Sequence, residues 1–295
     1  IDLSVGHIDT GIQFKYKFID EAHHVEHEDS IRKNKIDKIK SEKEIHFSAT
    51  FHDSSNLDYN YPLSKAIEEK WVSDYVLHFS FFSNGDRMDA IIEMLKGKTE
   101  YFPMFVYFNS TKRSKLFSEK LKEKGMSVDY LNGDSSNEKR INVKNELLIG
   151  TLDILSLCGV YNEGVSINNI KTVVFGDLRH SDINKIQIMM RASRLHHSKP
   201  FYRVIVPTTD SDMNGKDMKE IVKTFCKIDS RMKESIKQKS KTRIKIEGID
   251  VADINDIKDV EKAELKYEQT YSRLGEFISG KSDEELWEKK LEQVD

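Results

Sequence analysis

The chain has 295 residues, 38% of them hydrophobic and 33% charged, with a formal net charge of -3 and a pI near 6.4. That length accommodates about two domains, and the composition fits a soluble globular protein with long amphipathic helices. The near-neutral balance excludes a global basic footprint, so any nucleic-acid contact has to be a local groove. No uninterrupted apolar run approaches a membrane span, and Ile1-Asp2-Leu3-Ser4 lacks a signal peptide's basic and apolar regions. Cys158 and Cys226 are the only cysteines, which is no disulfide framework and suits a reducing compartment; the expected setting is intracellular and soluble, with no membrane partner.

Residues 1–17 are weakly patterned, with room for one edge strand. Phe18-Ile19 then runs into Asp20-Glu21-Ala22-His23-His24, an apolar strand ending in two carboxylates and two imidazoles. Open α/β sheets place ligands at the C-terminal ends of their strands. Two carboxylates there can divide the work of nucleotide hydrolysis, one holding Mg²⁺ and the other orienting or deprotonating the attacking water. Glu26 to Lys43 spaces Ile31, Ile36 and Ile39 among lysines and predicts an amphipathic helix with a solvated basic face. Glu44 to Thr50 reads as the next strand, ending in Ser48-Ala49-Thr50. Between Tyr59 and Ser83, a helix over Ser64–Trp71 and a strand over Asp74–Phe82 form the connection out of the first domain. The aromatics there could stack on bases, with interior packing the expected use for most of them.

From 86 to 207 helices and strands alternate. Asp86 caps a helix with Met88, Ile91, Ile92 and Leu95 on its buried stripe and Gly97 at its end. Strand Met104–Phe108 leads through Asn109-Ser110-Thr111 into a helix over 112–124, a junction whose free N–H groups attract phosphate. Val128–Leu131 is a strand, and Ser135-x-x-Glu138 a capping box for the next helix. Leu152–Leu157 runs as a buried strand into Glu163-Gly164-Val165-Ser166, and Lys171–Phe175 follows as another. Asp182 to His197 predicts one helix, with Ile183, Ile186, Met190 and Leu195 inward and Gln187, Arg191 and Arg194 along it. Phe201–Val206 closes the series, with Pro207 as its stop. Five strands with short connections predict a parallel sheet covered on both faces.

Beyond Thr208 the character changes. Residues 212–238 read as one helix, and 219–245 hold ten Lys/Arg against three acidic residues, the best candidate for a phosphate-facing surface. Ile244, Ile246, Ile249 and Val251 hint at a strand. Residues 253–278 and 283–293 look helical, with Trp287, Leu291 and Val294 on one stripe.

Asp20-Glu21-Ala22-His23 resembles motif II of the superfamily 2 helicases, DEAH-box branch. Ser48-Ala49-Thr50, 28 residues on, is similar to motif III, and Asn109-Ser110-Thr111 to motif IV. The Glu163-Gly164-Val165 segment looks like motif V, with Ser166 where the family usually has Asp. Gln187-x-x-Met190-Arg191-x-x-Arg194 looks like motif VI, with Met190 in place of Gly. The resemblance covers about residues 15–207, and its weight lies in the order of the motifs. It implies two RecA-like domains, ATP and Mg²⁺ as cofactors, and a nucleic-acid partner, DNA ahead of RNA. It also implies roles. Asp20 holds the metal, Glu21 acts on water, and Gln187, Arg191 and Arg194 reach the ATP phosphates. His23, Ser48 and Thr50 couple the sites, while Asn109, Ser110, Thr111 and Gly164 lie near the nucleic acid.

The expected domains are 1–83, the C-terminal part of a first RecA-like domain; 84–208, a complete second one; and 209–295, a mostly helical extension. No G-x-x-x-x-G-K-[ST] phosphate loop occurs in the sequence, so the expectation is a piece of a longer polypeptide. The expected activity is that of an ATP-driven helicase or translocase. The rivals are a restriction or remodelling motor that translocates without separating strands, and a non-catalytic nucleic-acid-binding scaffold. Intact Asp20, Glu21, Arg191 and Arg194 speak against the scaffold.

Overall fold

The computed structural model describes residues 11–25, 31–49, 57–82, 86–161, 167–178, 181–209, 216–238 and 243–248. The chain divides into two compact units, Ile1–Asn60 and Tyr61–Asp295. The boundary expected at 83/84 therefore moves upstream, because the strand Asp74–Phe82 joins the larger sheet instead of acting as a connection.

The smaller unit pairs β1 (Phe14–Ile19) with β2 (Ser41–His46) in parallel, and α1 (Ile31–Ile36) lies between them in sequence. The helix expected as far as Lys43 ends at Ile36, since β2 already begins at Ser41. Ile36 packs against a small cluster of Ile19, Ala22 and Val25.

In the larger unit, α2 (Leu63–Glu68) precedes β3 (Asp74–Phe82), and α3 (Arg87–Met94), β4 (Met104–Phe108), α4 (Thr111–Glu123) and β5 (Val128–Leu131) follow. Then come α5 (Asn137–Ile149), β6 (Ile154–Cys158), β7 (Thr172–Phe175), α6 (Asp182–Met189) and β8 (Phe201–Thr209). The described chain ends with α7 (Lys216–Ile228), α8 (Ser230–Lys237) and β9 (Ile244–Gly248). Seven strands form one sheet in the order β5-β6-β4-β7-β8-β3-β9, and every pair is parallel. Alternation along β4 serves both faces. Phe105 and Tyr107 pack with residues of α5 to α8, while Met104, Val106 and Phe108 pack with residues of α3 and α4.

Local chemistry sets the element ends. The Asp86 carboxylate accepts from the Met88 N–H and opens α3. The cap of α5 is Ser136, which accepts from the Lys139 N–H; Ser135 instead closes a turn with Asn132. Pro207 does not stop β8, which continues to Thr209 beside β3. Its pairing with β7 ends at Ile205, so the missing proline N–H can face an open side. The single helix expected over 212–238 breaks at Asp229, whose carboxylate caps α8 through the Arg231 N–H. The helices expected over 253–278 and 283–293 lie outside the described residues.

Asp229 is fully buried and holds the added elements to the sheet. It accepts from the Tyr75 hydroxyl at 3.0 Å and from both Nε and Nη2 of Arg231 at 3.0 and 2.8 Å. Arg243, just before β9, grips Asp74 with both Nη groups at 2.7 and 3.2 Å. Burial pushes the Asp229 carboxyl up, but the hydrogen bonds and charge of Arg231 outweigh it and hold it below the usual carboxylate range. A depressed folded value contributes stability above the unfolded carboxyl pKa and loses it as pH falls through the folded one. Asp229→Asn should therefore lower the unfolding free energy by about 3–5 kcal/mol near neutral pH. In thermal melts the gap to the wild type should narrow towards pH 3. A gap independent of pH would remove the carboxylate charge from this account.

Candidate functional site

In the smaller unit, β1 ends at Ile19 and delivers Asp20 exposed at its C-terminal end. The Asp20 Oδ1 accepts from the Glu21 N–H at 2.9 Å, which orients the exposed carboxylate. Glu21 stands in the left-handed region at φ 51°, ψ 45°. A non-glycine residue there is strained, and such strain gathers at functional turns. The Ala22 N–H bonds to the Phe47 carbonyl and the Phe47 N–H to that of Ile19, so the turns after β1 and β2 are stitched together. Through this stitch the buried His23 reaches Ser48, Nδ1 to Oγ 2.8 Å, and the same Nδ1 lies 3.4 Å from a Glu21 carboxylate oxygen. The half-buried His24 ring packs on His23 with centroids 4.1 Å apart. Thr50 lies outside the described residues.

Among the described residues no group of three or more His, Cys, Asp or Glu gathers at one point. Asp20 alone suits a hard divalent cation that keeps most of its water and phosphate ligands: it offers an exposed carboxylate already oriented by a backbone donor.

In the larger unit, Asn109, Ser110 and Thr111 stand at the β4–α4 junction. Asn109 is tied to the loop after β7: its N–H donates to Asp177 Oδ2 at 2.9 Å and its amide to the Leu178 carbonyl at 2.8 Å. Thr111 Oγ1 lies 3.7 Å from Cys158 Sγ, and Arg113 Nε pairs with Asp177 at 3.1 Å. Gly176 permits this loop, because a Cβ there would stand 2.6 Å from the Phe108 ring. Gly164 lies outside the described residues. In the basic window, Lys227, Arg231 and Arg243 are paired to Asp182, Asp229 and Asp74.

The helix carrying Gln187, Arg191 and Arg194 is shorter than expected. α6 ends at Met189, Met190–Ala192 tighten into a 3-10 turn, and Arg194 follows that turn. Arg191 and Arg194 line one cavity, with Arg194 exposed and Arg191 half-buried. Gln187 is buried, and its carbonyl accepts from Arg191 Nε at 3.1 Å. Leu195, expected inward, is 49% exposed. Met190 is half-buried, its sulfur 3.6 Å from the Tyr202 hydroxyl.

Two positioning residues carry no signal in the sequence. Ser73, just before β3, donates its N–H to the Ser193 carbonyl at 2.6 Å and its hydroxyl to that of Arg194 at 3.2 Å. Lys199 is buried, and its Nζ donates to the carbonyls of Ala192 and Ile170 at 2.6 and 2.7 Å. Burial, helped by the charge of Arg194, lowers the Lys199 amine to about 8. Three successive carbonyls of the arginine-bearing turn are thus held in place. A serine before a strand and a lysine in a basic turn read as solvent-facing, so neither betrays this role.

Residues 86–196 match the family model of the helicase conserved C-terminal domain. Over 84 residues the chain is 31% identical to IRC3 of Saccharomyces cerevisiae, provisionally named an ATP-dependent helicase; the match spans 28% of this chain and 12% of that protein. The fold is similar to that of the ATP-dependent Type ISP restriction-modification enzyme LlaBIII bound to DNA. There the TM-score is 0.70 at 14% identity, over 96% of this chain and 24% of that one. It is also similar to Saccharomyces cerevisiae Dbp5 bound to RNA and ADP BeF3, with a TM-score of 0.56 at 16% identity over 87% and 63% of the two chains. The parallel sheet of the larger unit, with helices on both faces, is the RecA-like fold of helicase C-terminal domains. Residues 86–196 thus match a helicase C-terminal domain in sequence, and the larger unit that holds them shares its fold.

Proposed function

We propose that the chain is part of an ATP-driven motor on nucleic acid, in which the acid pair of the smaller unit and the arginine pair of the larger act on one nucleotide. The observation that carries this reading is the presentation of Arg191 and Arg194 into one cavity by a turn whose carbonyls Ser73 and Lys199 hold. A guanidinium fork held in place stabilises charge on the transferring phosphoryl without reorganising.

On this reading Asp20 holds Mg²⁺, which when bound neutralises charge on the β- and γ-phosphates. Glu21 orients or deprotonates the attacking water. His23 and Ser48 carry the state of that turn to the next strand end through their 2.8 Å hydrogen bond. Asn109, Ser110 and Thr111 at the β4–α4 junction grip the nucleic-acid backbone, DNA ahead of RNA, and Gly164 is assigned the same task from its motif.

The 295-residue sequence contains no G-x-x-x-x-G-K-[ST] motif, so alone the chain should show no nucleic-acid-stimulated ATP hydrolysis above background in a phosphate-release assay. The complete motor should show it. Sustained stimulated turnover by the chain alone would overturn this division of labour. A strand-displacement assay on the complete motor then separates unwinding from translocation without strand separation.

A further inference from the structure

The cavity that Arg191 and Arg194 line has a volume of about 520 Å³, in the range of small-ligand sites. Its wall is not all cationic. Trp71, Asn168, Met190 and Leu195 share it. Trp71 belongs to the aromatic-rich stretch before β3, and 69% of its surface is exposed.

The exposed indole is held in one orientation. Its Nε1–H donates to Glu69 Oε2 at 3.1 Å, and the same oxygen accepts from the Tyr61 hydroxyl. Those two hydrogen bonds, Tyr61 first, keep the Glu69 carboxyl ionised to lower pH than usual. The backbone presents it as well. Lys70 takes the left-handed conformation at φ 60°, a position that favours glycine, and the Trp71 N–H returns to the Ala66 carbonyl at 2.9 Å. A strained turn, an oriented ring and two arginines therefore converge on one opening.

We infer that Trp71 is a stacking platform for the nucleobase of the nucleoside triphosphate whose phosphates Arg191 and Arg194 receive. Asn168 brings amide donors and an acceptor to the same opening, suited to the edge of a base. The inference rests on the reading of the two arginines as phosphate ligands. A base of a nucleic-acid strand is disfavoured by topology. Trp71 lies at the N-terminal edge of the parallel sheet, just before β3. Asn109 and Thr111 lie at its C-terminal edge, after β4, a strand's length away, about 17 Å for five residues.

The test uses the chain with Trp287→Phe, which leaves Trp71 as its single indole. ATP should quench Trp71 fluorescence saturably at millimolar concentration, whereas tripolyphosphate should reverse the quenching without causing any itself. By calorimetry Trp71→Ala should weaken ATP about tenfold, in line with the stacking of one base, and leave tripolyphosphate unchanged. Trp71→Phe should restore most of the loss. Wild-type ATP affinity in Trp71→Ala, or absence of saturable quenching by ATP, overturns the inference. So does quenching by a single-stranded oligothymidylate but not by ATP. Arg191→Ala with Arg194→Ala separates the two readings, because it should weaken ATP and tripolyphosphate alike. If it weakens neither while ATP still quenches Trp71, the arginine reading fails and the platform stands.

Discussion

Arg191→Ala in the complete motor should lower nucleic-acid-stimulated kcat about 10³–10⁵-fold, the range of a removed arginine finger. Arg191 is half-buried, its Nε is engaged with the Gln187 carbonyl, and its turn is fixed by Ser73 and Lys199. A group oriented this firmly before reaction spends nothing on reorganisation when charge develops. Arg191→Lys should recover little, because an ammonium cannot both donate to the Gln187 carbonyl and present a planar fork. Steady-state kinetics on both variants, with KM for ATP and melting temperature recorded beside kcat, check this. A loss confined to KM would make Arg191 a binding residue only, and a melting temperature lowered in proportion to the loss would make it a structural one.

Much of the larger unit could be read in advance because its signals are local. Met104–Phe108 is a continuous apolar run between a proline and a polar turn, which a doubly covered parallel strand requires. Asp86 and the Met88–Leu95 stripe make α3 legible from capping and periodicity together. What escaped depends on long-range partners. Asp74–Phe82 has the same pattern whether it connects two domains or enters a sheet, and only pairing with β8 and β9 decides. The tightening of 182–197 after Met189 leaves no trace in hydrophobic spacing, since Leu195 satisfies the helical period yet faces out. Of the candidate site residues, His23 and Ser48 stand 2.8 Å apart across the two strand ends. The hold of Lys199 on the arginine turn was illegible, because a buried lysine is recognised by the carbonyls around it, and those come from residues 170 and 192.

Glu21→Gln should abolish turnover in the complete motor while ATP binding survives. The amide keeps the size and reach of the carboxylate but cannot take a proton from water or hold it by acceptance alone, a loss of about 10²–10⁴ in general-base terms. Affinity for ATP should not fall, because one negative charge beside a triphosphate has been removed. The left-handed backbone of Glu21 supplies a control that ordinary substitutions lack. A glycine relieves about 1–2 kcal/mol of left-handed strain and gives back about 0.5–1 kcal/mol in unfolded-chain entropy. Glu21→Gly should thus be as inactive as Glu21→Gln yet melt no lower than wild type, which separates chemistry from folding. Phosphate release and nucleotide binding measured on both variants decide the matter. Wild-type turnover in Glu21→Gln would take Glu21 out of the mechanism, and with it the division of labour between Asp20 and Glu21 on which the motor reading depends.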